Sequence, residues 1–563
     1  MRPDCGRETL RGLYGETAVR NVLAAVFLRF SLHYWIKSAI LEVIFDRKEA
    51  FHALSNKQKI TLGAAGAVFL ALLIFLASCN RKLVTKEPAQ PDVLPEPSAA
   101  EETTENTQPQ LPEPVESKRS ISTAMGDIAV TESTIYEENL TYSRREYVSF
   151  DKSRIQACRV EGQTRQAVLF TFQYQPIDGT VHYYDNDARS WISEPLSPGA
   201  YRANLVAVEF SSGASLFAYL PKTYNQKENG VLEHLPDSDG YLLVTRTDAG
   251  WQFKFVSCQL QAGQVCDGFV MSAAWPLLDW SENQNCATVW DAYTTNGVAK
   301  WCFDGYYRFT PANYVPTGEN YYYRCVASYL IRLMAEQIGL SSAAPSLTVC
   351  MLDVLAQEQN AYGFWPTQPE SEWLSGDFQI ADGFYDTRFN TDLIEIFIRA
   401  NNSLGGGLYL DTVKRYAAFY QALAEANHAV TENGGWLVAD YWHPELHDLT
   451  HTSLNHLAAE CLALYRLADL LEDESLRETA DKLLLAIEDT GSDWIKPNWD
   501  LYYSIQPDGT YDGTDYPSLT YNDLFNLQAY LTEKTGEQNQ TIANLMYHKL
   551  CWMWANNVTD YKR

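Results

Sequence analysis

Apolar positions along the chain change their period twice. Residues 60–78, "ITLGAAGAVFLALLIFLAS", are 19 residues without a charge. From about 128 to 275, runs such as "AVLFTFQYQ", "RANLVAVEF" and "WQFKFVSCQL" are short, β-branched and aromatic, with "PIDG", "SPGA" and "DAG" as turn signals between them. This pattern predicts antiparallel strands, here a β-rich, sandwich-like domain. From about 290 the period becomes helical. "NYYYRCVASYLIRLMAEQIG" is predicted as a helix stopped by Gly339, and "TDLIEIFIRANN" and "LDTVKRYAAFYQALAEANH" as two more. "TSLNHLAAECLALYRLADLL" places Leu454, Leu457, Ala458, Cys461, Tyr465 and Ala468 on one face. "SLRETADKLLLAIEDTG" is expected to start at a Ser cap and end at Gly491. "SLTYNDLFNLQAYL" and "QTIANLMYHKLCWMWA" complete the set.

Aromatic and acidic loops recur before these helices: "WCFDGYYRFTPANY", "GDFQIADGFYDTRFN", "GGWLVADYWHPELHDLTH" and "DGTYDGTDYP". Their spacing is about one helical hairpin with its loops. If the hairpins stack in a ring, every second helix points the same way and all four loops meet at one end. The predicted fold class is therefore α+β multidomain: a β-rich sandwich-like domain at 128–275, then an α/α toroid, partial or complete, at 290–563.

The first 127 residues add location. Lys57 and Lys59 precede the apolar run, and Leu76-Ala77-Ser78-Cys79 resembles the cleavage box of bacterial lipoproteins. Residues 57–79 are expected to be a lipoprotein signal, with lipidation at Cys79. The alternative is an uncleaved membrane anchor. Residues 1–56 are expected to be an upstream extension. Residues 80–127 are dense in Pro, Glu, Thr and Gln and are expected to form a disordered tether. The folded part would then face out of the cytoplasm at the cell membrane.

Composition narrows the partners. The net charge of −28 argues against nucleic acid. The 35 Tyr and 15 Trp suit stacking against sugar rings. No CxxC pair occurs, so zinc-ribbon and thioredoxin readings have no support. Cys258–Cys266 or Cys286–Cys302 is a candidate bridge. His443, His447, His451 and His456 lack HExxH spacing, so neither a metal nor a cofactor is expected.

Two reactions suit the loop residues. Proton transfer beside a sugar carboxylate needs an acid and a base on opposite ring faces and a cation on the carboxylate, for which Arg388 is the candidate. Glycoside hydrolysis needs two carboxylates, from Glu445 with Asp386 or Asp515. Asp386, Trp442, Asn455, His456, Trp499 and Asp515 are further substrate-binding candidates. A non-catalytic glycan-binding surface protein is the third reading.

Residues 436–530 resemble the C-terminal domain of the D-glucuronyl C5-epimerase family, which has an (α/α) barrel. The likeness rests on "DYWHPE", Leu454-Asn455 with "LALYRL", "DTG" before Trp499-Asp500-Leu501, and Asp515-Tyr516 before "LTYNDLFNL". The resemblance implies a uronate epimerase acting on polysaccharide, with Tyr516, Glu445 and Tyr441 in proton transfer. Trp499 stands where the family has Tyr, and an indole cannot exchange a proton in this way. Either Tyr502 or Tyr503 substitutes, with Tyr503 the candidate, or the fold persists without the activity.

Overall fold

Strands pair from Val115 onward because a polar but alternating stretch finds a partner two residues away. Val115–Thr123 pairs in antiparallel register with Gly126–Glu137, so that Ile121 lies opposite Ile128. A computed structural model describes residues 111–185, 190–278, 299–326, 329–445 and 447–563. The expected extension at 1–56, the signal at 57–79 and Cys79 lie outside these residues. The expected tether is corrected at its C-terminal end, where 115–123 is a strand. Its charged residues Lys118 and Arg119 sit on the edge of a sheet, which blunts edge-to-edge association.

A β-rich region is followed by a helical one, and both belong to the compact unit Gln108–Arg563. Among the described residues the larger sheet has 13 strands. Its main path runs Val115–Thr123, Gly126–Glu137, Leu140–Val148, Arg154–Gly162, Gln264–Ala273, Ser215–Gln226, Val231–His234, Tyr321–Arg324, Gly305–Phe309 and Ala299–Cys302. The second sheet has four: Val168–Tyr174, Gly250–Val256, Tyr241–Thr247 and Gly199–Tyr201.

Strand alternation explains why the central strands read as continuous apolar runs. In Ser215–Gln226, Leu216, Ala218 and Leu220 share a core with Phe253 and Phe255 of the smaller sheet. Phe217 and Tyr219 face the other way, into a core that continues through Met334, Leu347 and Leu355 of the helices. The larger sheet is thus buried on both faces.

The helical region has nine α-helices among the described residues: α1 Tyr329–Ala335, α2 Ala344–Glu358, α3 Glu372–Phe378, α4 Thr387–Leu404, α5 Leu410–Ala426, α6 Leu454–Leu471, α7 Glu474–Thr490, α8 Leu519–Thr535 and α9 Gln540–Ala555. Helices α1, α4, α6 and α8 pack side by side, and α5, α7 and α9 form a second row behind them.

Four expectations change. The predicted helix from Asn320 is replaced at its start by the strand Tyr321–Arg324, held between Val231–His234 and Gly305–Phe309. The β-rich region therefore reaches 324, not 275. Helix α7 is capped by Asp473, whose side chain accepts from the Ser475 N–H, and not by Ser475 itself. Cys258, Cys266 and Cys302 are free thiols, and Cys286 lies outside the described residues.

Candidate active site

Two short ribbons assemble the loop end of the helices. The first pairs Tyr385 with Trp442 and Asp386 with Tyr441. Neighbouring residues on a strand face opposite ways, so Asp386 and Tyr441 share one face and Tyr385 and Trp442 the other. Asp386 also caps α4, accepting from the Phe389 N–H at 3.0 Å. The second ribbon pairs Thr452–Ser453 with Ser504–Ile505, which in turn pairs with Tyr511–Asp512. It brings Tyr503 to the start of α6, where the Leu454 N–H donates to the Tyr503 carbonyl at 3.3 Å. Gly513 is required in that hairpin. Its φ is +82°, and a Cβ there would meet the Tyr503 Cβ at 2.9 Å.

Asp440 ties the ribbons together. Its Oδ1 accepts from the Ser453 N–H at 2.9 Å and its Oδ2 from the Ser453 hydroxyl at 2.5 Å. His451 Nε2 and His456 Nδ1 each stand 3.3 Å from the same Oδ2. Aromatic rings surround this centre. Tyr441 lies 5.8 Å from Trp373, 5.8 Å from His451 and 6.1 Å from His456, between ring centroids. Tyr503 lies 5.7 Å from His451 and 5.8 Å from Tyr516. Tyr516 is 47% exposed and forms the open side.

The electrostatics separate the two carboxyls. Burial pushes Asp386 up to about 7, with the Asp440 charge adding to it against the opposing Phe389 N–H bond. Burial also opposes ionisation of Asp440, but His456, His451 and the Ser453 hydroxyl outweigh it and hold that carboxyl below its ordinary range. Burial lowers His456 to about 4, so its imidazole is neutral at neutral pH. Burial raises Tyr441, Tyr503 and Tyr516, which therefore carry their protons; Asp386 and Asp440 add to the shift of Tyr503 and Tyr516. The arrangement sets protonated tyrosines beside the neutral His456 imidazole and an ionised carboxylate, which is the requirement for acid–base transfer.

Tyr441, Tyr503, Tyr516, Asp386 and His456 thus meet in one place. Asn455 is beside them on α6, 1% exposed, with neither amide atom hydrogen-bonded. Other candidates stand elsewhere. Glu445 is on an exposed turn, its N–H donating to His443 Nδ1. Arg388 is committed to Asp523 at 2.5 Å and Asp392 at 3.1 Å. Asp515 is locked to the buried Lys549, which it shares with Asp500, at 2.6 Å each. Trp499 is 42% exposed on a left-handed turn with φ +72°. Trp442 lies on the far face of its ribbon, against Phe364 and Phe419. Sequence reasoning gave no role to Trp373 or Asp440, and it weighed His451 only as a metal ligand. The signal for Trp373 was another aromatic and acidic run, "SEWLSGDF". Among the described residues no group of three His, Cys, Asp or Glu is suited to hold a metal.

No protein-family model matches the chain. No curated protein matches it either. Solved structures similar to it include a D-mannose isomerase, at 16% identity and TM-score 0.31, covering 41% of this chain and 60% of that one. An unsaturated glucuronyl hydrolase from Bacillus sp. GL1 is 13% identical with TM-score 0.29, covering 40% of this chain and 60% of the hydrolase. A family 76 glycoside hydrolase from a bovine Bacteroides thetaiotaomicron strain is 11% identical with TM-score 0.34, covering 71% and 75%. The chain spans about 60% of the length of the first two.

Proposed function

We propose that this protein is a glycan-modifying enzyme that epimerises a uronate by moving the proton at C5. The observation that carries the reading is the meeting of Tyr503, Tyr516 and neutral Asp386 with His451 and His456 on Asp440. His451 or His456 takes the C5 proton, and the electron pair is held as an enolate of the sugar carboxylate. Tyr516 returns a proton to the opposite ring face and is itself reprotonated from solvent, while the imidazolium releases the C5 proton to solvent. Arg388 is spent in its ion pairs, so the carboxylate is met by the protonated Asp386, a donor that needs no charge. The unpaired Asn455 amide supplies a second donor. The rows of helices support an α/α toroid or an arc of one, and the shared core of the two sheets supports a sandwich beneath it. Lipid attachment at Cys79 would hold the enzyme at an extracytoplasmic membrane face.

The test is deuterium uptake at C5 from heavy water into glucuronan, heparosan and alginate. Tyr516→Phe is expected to slow uptake by about 10²–10⁴-fold. Absence of exchange with all three polymers rejects the proposal. A second reading, hydrolysis, is favoured by one observation: Asp386 protonated and Asp440 ionised are carboxyls pushed apart by their surroundings. New reducing ends without exchange would select it.

A further inference from the structure

The far face of the Asp386–Tyr441 ribbon carries a concavity. It holds about 580 Å³, within the roughly 300–1,000 Å³ of small-ligand sites. Tyr362, Phe419 and Trp442 line it together with Ala418, Ala422 and Arg415 of α5. The small alanines, one helical turn apart, leave the depression that the rings border. Tyr362 and Trp442 stand 5.9 Å apart at 77°, and Phe419 and Trp442 5.6 Å apart at 63°. The rings therefore meet edge to face and form a corner, not a closed stack, with Tyr362 as its exposed ring.

Tyr362 is 56% exposed, and its place is built. Asn360 Oδ1 accepts from the N–H groups of Tyr362, Gly363 and Phe364, each at 3.1 Å. Gly363, at φ +103°, lets the turn approach α5 so closely that a Cβ would lie 2.5 Å from the Arg415 carbonyl. A backbone pinned in this way lowers the ordering cost of presenting the ring on binding. Among the described residues the exposed Arg415 guanidinium meets no ion-pair or hydrogen-bond partner, in a chain of net charge −28.

We infer that this groove is a second subsite, for an acidic sugar unit of the glycan. Ring faces take the C–H face of a sugar, and a free guanidinium takes its carboxylate or sulfate. Tyr441 and Trp442 are consecutive, so a chain draped over the ribbon reaches both faces. The inference rests on the glycan reading above, not on the epimerase step.

The probes are fluorescent hexamers of glucuronan, heparosan and alginate, their carboxyl-reduced counterparts, and a sulfated heparosan hexamer, titrated against the full chain. At least one acidic hexamer is expected to bind. Tyr362→Ala should weaken it by about tenfold. Arg415→Ala should abolish the preference for acidic over reduced chains, and the sulfated hexamer tells which acid is preferred. Thermal melts of both variants should match the parent, since both side chains are exposed. Binding that depends on Tyr362 and Arg415 without C5 exchange upholds the subsite and rejects the epimerase. Exchange with hexamer affinity unchanged in both variants, or no hexamer binding at all, overturns the subsite.

Discussion

The β-rich region and the loop end of the helices both bury ionisable groups, but they treat them differently. In the β-rich region each carboxylate meets its donors. Arg159 spans Asp267 at 2.7 Å and Asp304 at 2.9 Å, and the Phe303 N–H donates to Asp267 at 2.8 Å. Asp239 takes Lys222 at 2.7 Å and His234 at 2.8 Å. Around Asp440, by contrast, His451 Nε2 and His456 Nδ1 are near but not aligned for hydrogen bonds, and both Asn455 amide atoms and Glu460 Oε1 lack a partner. Buried polar capacity left unused costs stability, and such sites are where a ligand completes the set. The Lys549 pair with Asp500 and Asp515 shows that the helical region also builds closed networks, so its open one is a local property.

The largest effect should come from breaking the closed side of this comparison. Arg159→Met leaves Asp267 buried and unpaired and is expected to cost about 3–5 kcal/mol in denaturant unfolding. Next is pH. Burial raises Asp386 and Glu460 to about 7 in the folded chain, from ordinary values near 4. Between about pH 4 and 7 the fold keeps protons that the unfolded chain has released. Stability from these groups is full below that window, falls through it by about 1.4 kcal/mol per pH unit for each, and is flat above it. Asp386→Asn should remove one such slope in unfolding curves taken across that range.

Smaller again, Asn455→Leu should raise stability by about 1–3 kcal/mol while lowering turnover, because it removes an unpaired amide that a ligand would use. A loss of stability instead would mean that the amide already has its partners. The smallest effect is expected at Asp508, whose carboxylate only closes an exposed turn onto Thr510. Asp508→Ala should leave melting and turnover unchanged.

Much of the helical region was legible in the sequence because α4 to α9 each carry an apolar face, and Gly491 and Gly536 end two of them. The strand at Tyr321–Arg324 was not, since its tyrosines continue into a helical run and only its neighbours across the sheet reveal it. Val115–Thr123 escaped because only Ile121 and Thr123 are buried in it. At the site, tyrosines read as recurring loop residues do converge. The fate of Arg388 was invisible, because Asp523 lies 135 residues away along the chain. The exposure of Glu445 follows from the turn that carries it, which no spacing rule distinguishes from a catalytic one.

The Asp386–Tyr441 ribbon has only two residues in each strand, yet it assigns every nearby ring to one side or the other. A sequence that gained or lost one residue between Val438 and Tyr441 would turn Trp442 toward the acids and Tyr441 toward α5. Point substitutions can drift around this wall, but length changes cannot, so the segment should evolve by exchange of residues at fixed length.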